Sequence, residues 1–357
     1  MSRNILPWPG APLAIASALL FGASTPFAKL LLGNGISPLV LAGLLYLGSG
    51  IGLATFQLAR LGLGGAPGEA SLQRADLPWL VAIVVSGGVI GPALLMLGLV
   101  TTPGSAASLL LNLESLATMV IAWVVFRENV DARLLLGAAA ILAGALVLSW
   151  QGGPRGFGYG SLAVAGACLA WGIDNNLTRK LSAADPVQIA LIKGLCAGAT
   201  NLSLGVTTGA VLPGAAGMAA AGVIGLLGYG VSLVFFVLGL RHLGAARTGA
   251  YFSTAPFVGA IAAIAILHEP VTWQLGIAGL LLATGLYLHL TESHEHSHRH
   301  APMRHEHRHS HDPHHQHAHD GEDPPGEPHS HWHEHRPIAH SHPHYPDLHH
   351  RHPHAHG

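Results

Sequence analysis

Charged residues are scarce in this sequence, and cysteines are nearly absent. Asp, Glu, Lys and Arg make up 10% of the 357 residues, whereas soluble globular domains carry about 25%. Cys168 and Cys196 lack the CxxC spacing of redox or zinc motifs, and we interpret them as packing residues. The chain also lacks a G-x-x-x-x-G-K-[ST] phosphate loop and a nucleophile at a useful spacing from a base. These absences argue against an ATP-driven pump and predict that the protein is not an enzyme.

Long apolar stretches fill most of the chain instead. Residues from about 11 to 290 divide into stretches of roughly 20 apolar residues, each long enough to cross a hydrocarbon core about 30 Å thick. Lipid cannot satisfy free backbone groups, so such spans must be helices. The first is too long for a signal peptide and is expected to be retained. We predict an all-α polytopic membrane protein with ten transmembrane helices, at 11–33, 36–60, 77–100, 104–126, 133–150, 157–180, 186–211, 217–240, 245–267 and 271–290.

Basic residues in the predicted loops indicate the orientation. Cytoplasmic loops are enriched in Lys and Arg. One side carries most of them: Arg3, Arg60, Arg74, Arg127, Arg133, Arg179, Lys180, Arg241 and Arg247. The other side collects only Lys29 and Arg155. Both termini are therefore predicted to be cytoplasmic, in a multi-pass protein of the inner (plasma) membrane.

Two stretches of the chain align without a gap at an offset of 141 residues, starting at Leu97 and Leu238. The pairs include Gly98 with Gly239, Glu128 with Glu269, Val130 with Val271, and Gly144 with Gly285. We predict two five-helix repeats, at 11–151 and 157–290, between a cytoplasmic N-terminus (1–10) and a tail (291–357). Because five is an odd number, the second repeat must enter the membrane inverted, which is typical of transporters with a substrate site near the midplane. The alternative is a duplicated structural membrane protein.

The repeats also carry short motifs in the same order. These are an aromatic–glycine pair in the first helix, a proline that opens the second and a glutamate that closes the fourth: Phe21–Gly22, Trp171–Gly172, Pro38, Pro186, Glu128 and Glu269. With these motifs the chain resembles the drug/metabolite transporter superfamily, and within it the EamA type, over about residues 11–290. The resemblance implies ten helices, cytoplasmic termini and the movement of small metabolites, often outward.

The sequence departs from the family pattern at two places. Seven positions after the helix-opening proline, where the family often has a basic residue, Lys193 matches in the second half but Leu45 stands in the first. The fourth-helix proline is present as Pro256, and Ser115 replaces it in the first half. The resemblance therefore does not identify the substrate.

Polar residues inside the predicted spans are the candidates for a substrate site. Glu114 lies about ten residues from either end of its span, where an ionised carboxylate facing lipid costs about 2.5 kcal/mol or more. Its repeat counterpart is Ala255, which argues against a purely architectural role. We interpret Glu114 as a cavity-facing acid that binds a cationic group or carries a proton. The further candidates are Thr25, Asn112, Ser115, Asp174, Asn175, Lys193, Tyr251 and Thr254.

Structural explanations compete at each of these positions. Ser and Thr hydroxyls in membrane helices often bond to their own helix or to a neighbouring one. Asp174 could form an interfacial ion pair with Arg179 or Lys180, and Lys193 could extend to the membrane boundary. Glu128 and Glu269, at helix ends, are expected to shape turns.

The C-terminal tail is rich in histidine and has no apolar periodicity, so we expect it to be disordered. Neutral imidazole binds Zn²⁺, Ni²⁺ and Co²⁺, and the alternation of histidine with other residues predicts metal binding. The alternative is a solvated spacer. The candidate ligands are His294, His296, His298, His300, His305, His307, His309, His311, His314, His315, His317, His319, His329, His331, His333 and His335.

The leading hypothesis is a secondary transporter that moves a small amino-acid-like or drug-like metabolite, with export favoured. It needs no cofactor for transport, and its expected partners are the lipid bilayer, the substrate and metal ions at the tail. A nucleic-acid partner is not expected, and the sequence leaves open whether the protein forms a homodimer. The rival hypotheses, suggested by the tail, are a divalent-metal transporter (Ni, Co or Zn) and a metal-regulated membrane protein. The membrane portion lacks a dense set of His, Asp and Cys, which argues against metal ions crossing it.

Overall fold

The computed structural model of the protein is mainly helical. The structure describes residues 10–63, 72–126, 132–150, 158–178, 181, 184–290, 295–299, 303–309, 329–335 and 339–343; the side chains of 240–247, 249–250 and those from 290 onward are outside that description. The α-helices are α1 (Gly10–Gly33), α2 (Pro38–Gly62), α3 (Leu77–Ile83), α4 (Gly91–Thr101), α5 (Gly104–Leu110), α6 (Leu113–Phe126), α7 (Ala132–Ser149), α8 (Tyr159–Thr178), α9 (Pro186–Thr207), α10 (Ala215–Gly225), α11 (Ser232–Phe252), α12 (Ala255–Leu267) and α13 (Trp273–Leu290).

Proline and polar caps set the starts of several helices. Pro38 and Pro186 begin α2 and α9, where the missing N–H of proline costs no hydrogen bond. The Asp185 carboxylate accepts a hydrogen bond from the Val187 N–H at 2.8 Å and caps α9. The family's helix-opening prolines therefore act through backbone geometry.

The predicted ten spans are only partly matched. Seven helical stretches among the described residues are long and apolar enough to cross a membrane, and Ala255–Leu267 is a shorter apolar helix. The predicted break near residues 241–244 is wrong, because α11 continues to Phe252 and the next helix begins at Ala255. Proline explains the difference: Pro103 separates α4 from α5, whereas its repeat counterpart is Gly244 and the proline of the second half is Pro256, in the first turn of α12.

Two π-helical segments interrupt the helices at equivalent positions of the repeats. Val84–Ile90 joins α3 to α4, and Leu226–Val231 joins α10 to α11. Gly87 and Gly228 occupy matching places within them at the same offset of 141 residues. Single-turn π segments often occur at functional sites, because they widen the helix and leave carbonyl groups free.

The motif glycines allow each repeat to pack against the other. A Cβ at Gly22 in α1 would collide with the backbone of Ala255 and lie 3.0 Å from the Val258 Cβ in α12. A Cβ at Gly172 in α8 would lie 2.8 Å from the Ala117 Cβ in α6. Ala117 is the repeat counterpart of Val258. The first helix of each repeat therefore packs closely on the fourth span of the other.

The tail differs from the expectation of no regular structure. Its described residues form four short strands, β1 (Glu295–Arg299), β2 (Met303–His309), β3 (His329–His335) and β4 (Ala339–Pro343). β1 pairs with β4 and β2 with β3, both antiparallel. Extended segments of this kind satisfy their backbone groups by pairing, which the absence of apolar periodicity did not reveal.

Candidate substrate site

The aromatic residues of the two motifs meet in the interior. The ring centroids of Phe21 and Trp171 are 6.4 Å apart in an edge-to-face arrangement. Phe21 also contacts Tyr229 at 5.9 Å and Phe252 at 5.3 Å, and Tyr229 contacts Tyr46 at 5.3 Å. We call Phe21, Tyr46, Trp171, Tyr229 and Phe252 the aromatic cluster. It draws residues from both repeats to one place.

The first π-helical segment binds this cluster through a free carbonyl. The Gly87 carbonyl accepts hydrogen bonds from the Tyr46 hydroxyl and from the Trp171 Nε1–H, both at 2.9 Å. The Asn201 side-chain amide donates to the Gly88 carbonyl at 3.2 Å. Gly87 thus orients two aromatic side chains with one backbone oxygen.

Glu114, at the start of α6, faces α8. Its carboxylate accepts a hydrogen bond from the Asn175 amide at 2.8 Å, and the same amide donates to the Thr118 hydroxyl at 3.2 Å. Glu114 is half-buried, not sealed. Among the side chains that the structure describes, no cation lies within ion-pair distance of it. Its described partner is therefore a neutral amide.

Asp174 and Lys193 form a buried ion pair beside the first π-helical segment. Lys193 Nζ lies 2.5 Å from Asp174 Oδ2, and the side chains are 11% and 8% exposed. The Thr178 hydroxyl donates to the other carboxylate oxygen at 3.3 Å. A side chain at Gly87 would overlap the Asp174 carboxylate, so glycine is required there. Lys193 therefore neutralises Asp174 in the interior.

The other predicted site residues mostly bond to their own helices. Asn112 donates to the Leu109 carbonyl at 2.8 Å, Ser115 to the Asn112 carbonyl at 2.7 Å, and Thr254 to the Tyr251 carbonyl at 2.6 Å. Thr25 is buried within α1, and Tyr251 is half-buried at the end of α11. The structure thus brings Glu114 to Asn175 and Asp174 to Lys193, and it gives the others local hydrogen bonds or burial.

The five residues of the aromatic cluster and Gly87 were not among the predicted site residues. Tyr46 and Tyr229 carry hydroxyl groups into the aromatic cluster, and Gly87 supplies the shared carbonyl. Extending the offset of 141 residues upstream of the aligned stretches would have paired Gly87 with Gly228, each within a π-helical segment.

Glu269 joins the two repeats away from this site. Its carboxylate accepts hydrogen bonds from the backbone N–H groups of Gly104 (2.6 Å) and Ser105 (2.8 Å), at the start of α5, and from the Ser105 hydroxyl (2.6 Å). A carboxylate at a helix N-terminus satisfies free donors and opposes the helix dipole. Lys29 donates to the Thr102 carbonyl at 3.0 Å, on the other side of the same break. Glu269 therefore shapes a turn, while Glu128 lies outside the described residues.

A metal site does not form in the described interior. Within the residues whose side chains the structure describes, no three His, Cys, Asp or Glu side chains are arranged to hold a metal ion. His289 instead lies 3.2 Å from the Leu134 carbonyl, between α13 and α7.

Comparisons with known proteins match this architecture. The model of the EamA-like transporter family matches residues 8–150 and 158–291, which correspond to the two repeats. An "Uncharacterized transporter" of Methanothermobacter thermautotrophicus is 28% identical over 295 residues, covering 77% of this chain and 84% of that protein. A solved structure described as "Crystal structure of protein" superposes with a TM-score of 0.57 at 20% identity, over 78% of this chain and 94% of the other, which supports the fold alone. The chain belongs to the EamA-like transporter family and is a multi-pass membrane protein with two EamA repeats.

Proposed function

We propose that this protein exports a small metabolite that carries a cationic group, and that Glu114 binds that group or exchanges it for a proton. One contrast carries the proposal. Asp174 already has a cation in Lys193, whereas the described partner of Glu114 is the neutral Asn175 amide. Glu114 is also the more accessible of the two acids. A buried carboxylate is stable when a cation or a proton neutralises it.

The aromatic cluster supports the same substrate chemistry. Faces of Trp, Tyr and Phe attract cations through their quadrupoles. Trp171 precedes Asn175 by one turn of α8, so one helix carries both a ring of the cluster and the partner of Glu114. An amino-acid-like or drug-like ammonium compound fits this surface, and transport needs no bound cofactor.

We further propose ten spans in two inverted repeats, with cytoplasmic termini in the inner membrane. The matched π-helical segments and the reciprocal packing of Gly22 and Gly172 support a pseudo-symmetric arrangement. Fusions of alkaline phosphatase after Gln151 should be active and those after Leu290 inactive. The reverse result would contradict the proposed topology.

Counter-flow in proteoliposomes tests the substrate. Primary and quaternary ammonium compounds should exchange across the membrane, while neutral compounds of the same shape should not. Equal exchange of the neutral compounds would overturn the role given to Glu114.

The second candidate is a divalent-metal transporter, favoured by the histidine-rich tail. We propose instead that the tail binds Zn²⁺, Ni²⁺ or Co²⁺ on the cytoplasmic side and that these ions do not cross. The described interior supplies no cluster of metal-binding side chains. Radiolabelled Zn²⁺, Ni²⁺ and Co²⁺ in the same liposomes separate the two candidates, because flux of the metal would support the second.

A further inference from the structure

Histidines lie directly opposite histidines at alternate rungs of both strand pairs in the tail, except that Met303 lies opposite His335 in β2 and β3. In β2 and β3 the directly opposed pairs are His305 with His333, His307 with His331, and His309 with His329. In β1 and β4 they are His296 with His342, and His298 with His340. Residues at alternate positions of a strand share one face. Each strand pair therefore has one face on which opposed histidines recur.

The residues between these rungs have a different character. In β2 and β3 they are Arg304 opposite Glu334, Glu306 opposite Trp332, and Arg308 opposite Ser330. In β1 and β4 the rung between the histidine pairs holds Ser297 opposite Ser341. A slip of one residue would bring histidine opposite these residues and end the pairing of histidines. In this register the opposed histidines lie on one face of each strand pair, and the residues of the intervening rungs lie on the other.

We propose that each histidine face is a divalent-metal site that takes ligands from both of its strands. The inner site lies on β2 and β3, and the outer site on β1 and β4. Neighbouring rungs on one face are about 7 Å apart along the strand and directly opposed residues about 5 Å apart across it. Two such rungs bring four histidine positions from two strands together, which is the number of ligands that a tetrahedral ion bound by imidazole nitrogens takes, such as Zn²⁺ or Co²⁺.

The same arrangement couples metal binding to strand pairing. Protonated histidines directly opposite one another would repel, whereas neutral ones bind a metal ion that joins the strands. An ion that binds only the paired form stabilises that form. The inference rests on the proposed metal binding of the tail and adds where and how the ions are held.

A comparison of histidine sets in the full-length protein tests the inference. In detergent at pH about 7.5, where imidazole is mainly neutral, Co²⁺ is titrated and its visible absorption measured, with Zn²⁺ as competitor. The first variant carries H305A, H307A and H309A, and the second carries H329A, H331A and H333A. A third variant combines all six. The control carries H349A, H350A, H352A and H354A, which follow β4 along the chain and are not among the candidate ligands.

If each ion takes ligands from both strands, the losses of bound Co²⁺ caused by the two triple variants should not add. Each triple variant should lower the number of tightly bound Co²⁺ ions from about two to about one, since the histidines left on one extended strand are spaced too widely along it to surround one ion. The six-fold variant should lose no more than either triple, and the control should keep both ions.

Two results would overturn the inference while leaving the proposed metal binding in place. The first is a six-fold variant that loses as many Co²⁺ ions as the two triple variants together. The second is a control variant that loses as many ions as a triple variant. A full-length protein that binds no Co²⁺ or Zn²⁺ would instead overturn the metal binding itself.

Discussion

Gly22 of the first repeat and Gly172 of the second pack against matching helices of the opposite repeat, whereas Glu114 of the first repeat corresponds to Ala255 of the second. The basic residues are also distributed unevenly between the two repeats. Lys193 stands seven positions after the helix-opening proline of the second repeat, where the first has Leu45. Duplication therefore kept the contacts that hold the repeats together but not the charges. A binding site between the repeats can then be asymmetric, as an asymmetric substrate requires.

The buried ion pair offers the largest test of this comparison. Lys193→Met leaves Asp174 without its cation in the interior, which we expect to lower the free energy of unfolding by about 3–5 kcal/mol. Thermal unfolding in detergent measures the loss. The double variant D174N/K193M should recover much of it, because no charge is then left unpaired. Leu45→Met, at the matching place of the first repeat, conserves volume and should cost less than about 1.5 kcal/mol. Equal losses at both positions would mean that the two repeats do not differ here.

Removing the acid of the first repeat tests where the substrate binds. Glu114→Gln should reduce transport at least about 100-fold while the protein stays in the membrane at normal levels, since removing one partner of a buried charge interaction costs about 3 kcal/mol. Initial rates in proteoliposomes at several pH values provide the measurement. Ser115→Ala, which removes only a bond to the Asn112 carbonyl, is the control and should transport normally.

An acid placed in the second repeat sharpens the same test. Ala255→Glu should not restore transport to the Glu114→Gln variant, because Ala255 is fully buried against Gly22. Normal transport by Glu114→Gln across pH would show that Glu114 is structural.

The packing glycines should behave alike in the two repeats. Gly22→Ala and Gly172→Ala each force a methyl group into a neighbouring helix, and overpacking of this kind costs about 1–3 kcal/mol. We expect similar drops in melting temperature for the two variants. Gly276→Ala in α13 is the control, because a Cβ there meets no heavy atom within 4 Å. A loss in only one repeat would show that the packing is not reciprocal.

Removing the tail should have the smallest effect on transport. A chain cut after Glu292 keeps both repeats and should transport at the full-length rate, but it should lose high-capacity metal binding. In the full-length protein, metal binding should weaken as the pH falls through about 6.5, the usual pKa of histidine, because protonated imidazole cannot bind metal. Calorimetry and liposome flux on both chains measure these effects. Metal flux that depends on the tail would favour the metal transporter.

Several features followed from the sequence because they depend on nearby residues. The aromatic–glycine motifs marked two rings that meet in the interior, and the depth of Glu114 within its span singled it out among the acids. The helix break at residues 253–254 was missed. It lies directly before α12, whose first turn contains Pro256. Arg241 and Arg247 were interpreted as loop residues instead, but α11 continues through them.

Composition, hydropathy and the offset of 141 residues determined by themselves that the chain is a membrane protein with two repeats, since each of these features is read along the chain. The partners of the polar side chains were decided by the tertiary structure alone. Asn175 lies 61 residues from Glu114, and the Gly87 carbonyl lies 84 residues from the Trp171 ring that it binds. The sequence left open whether Lys193 extends to the membrane boundary. The packing of α8 and α9 against the first π-helical segment brought it to Asp174. The physical reason is that a buried charge is placed by whichever opposite charge the folded chain brings within reach.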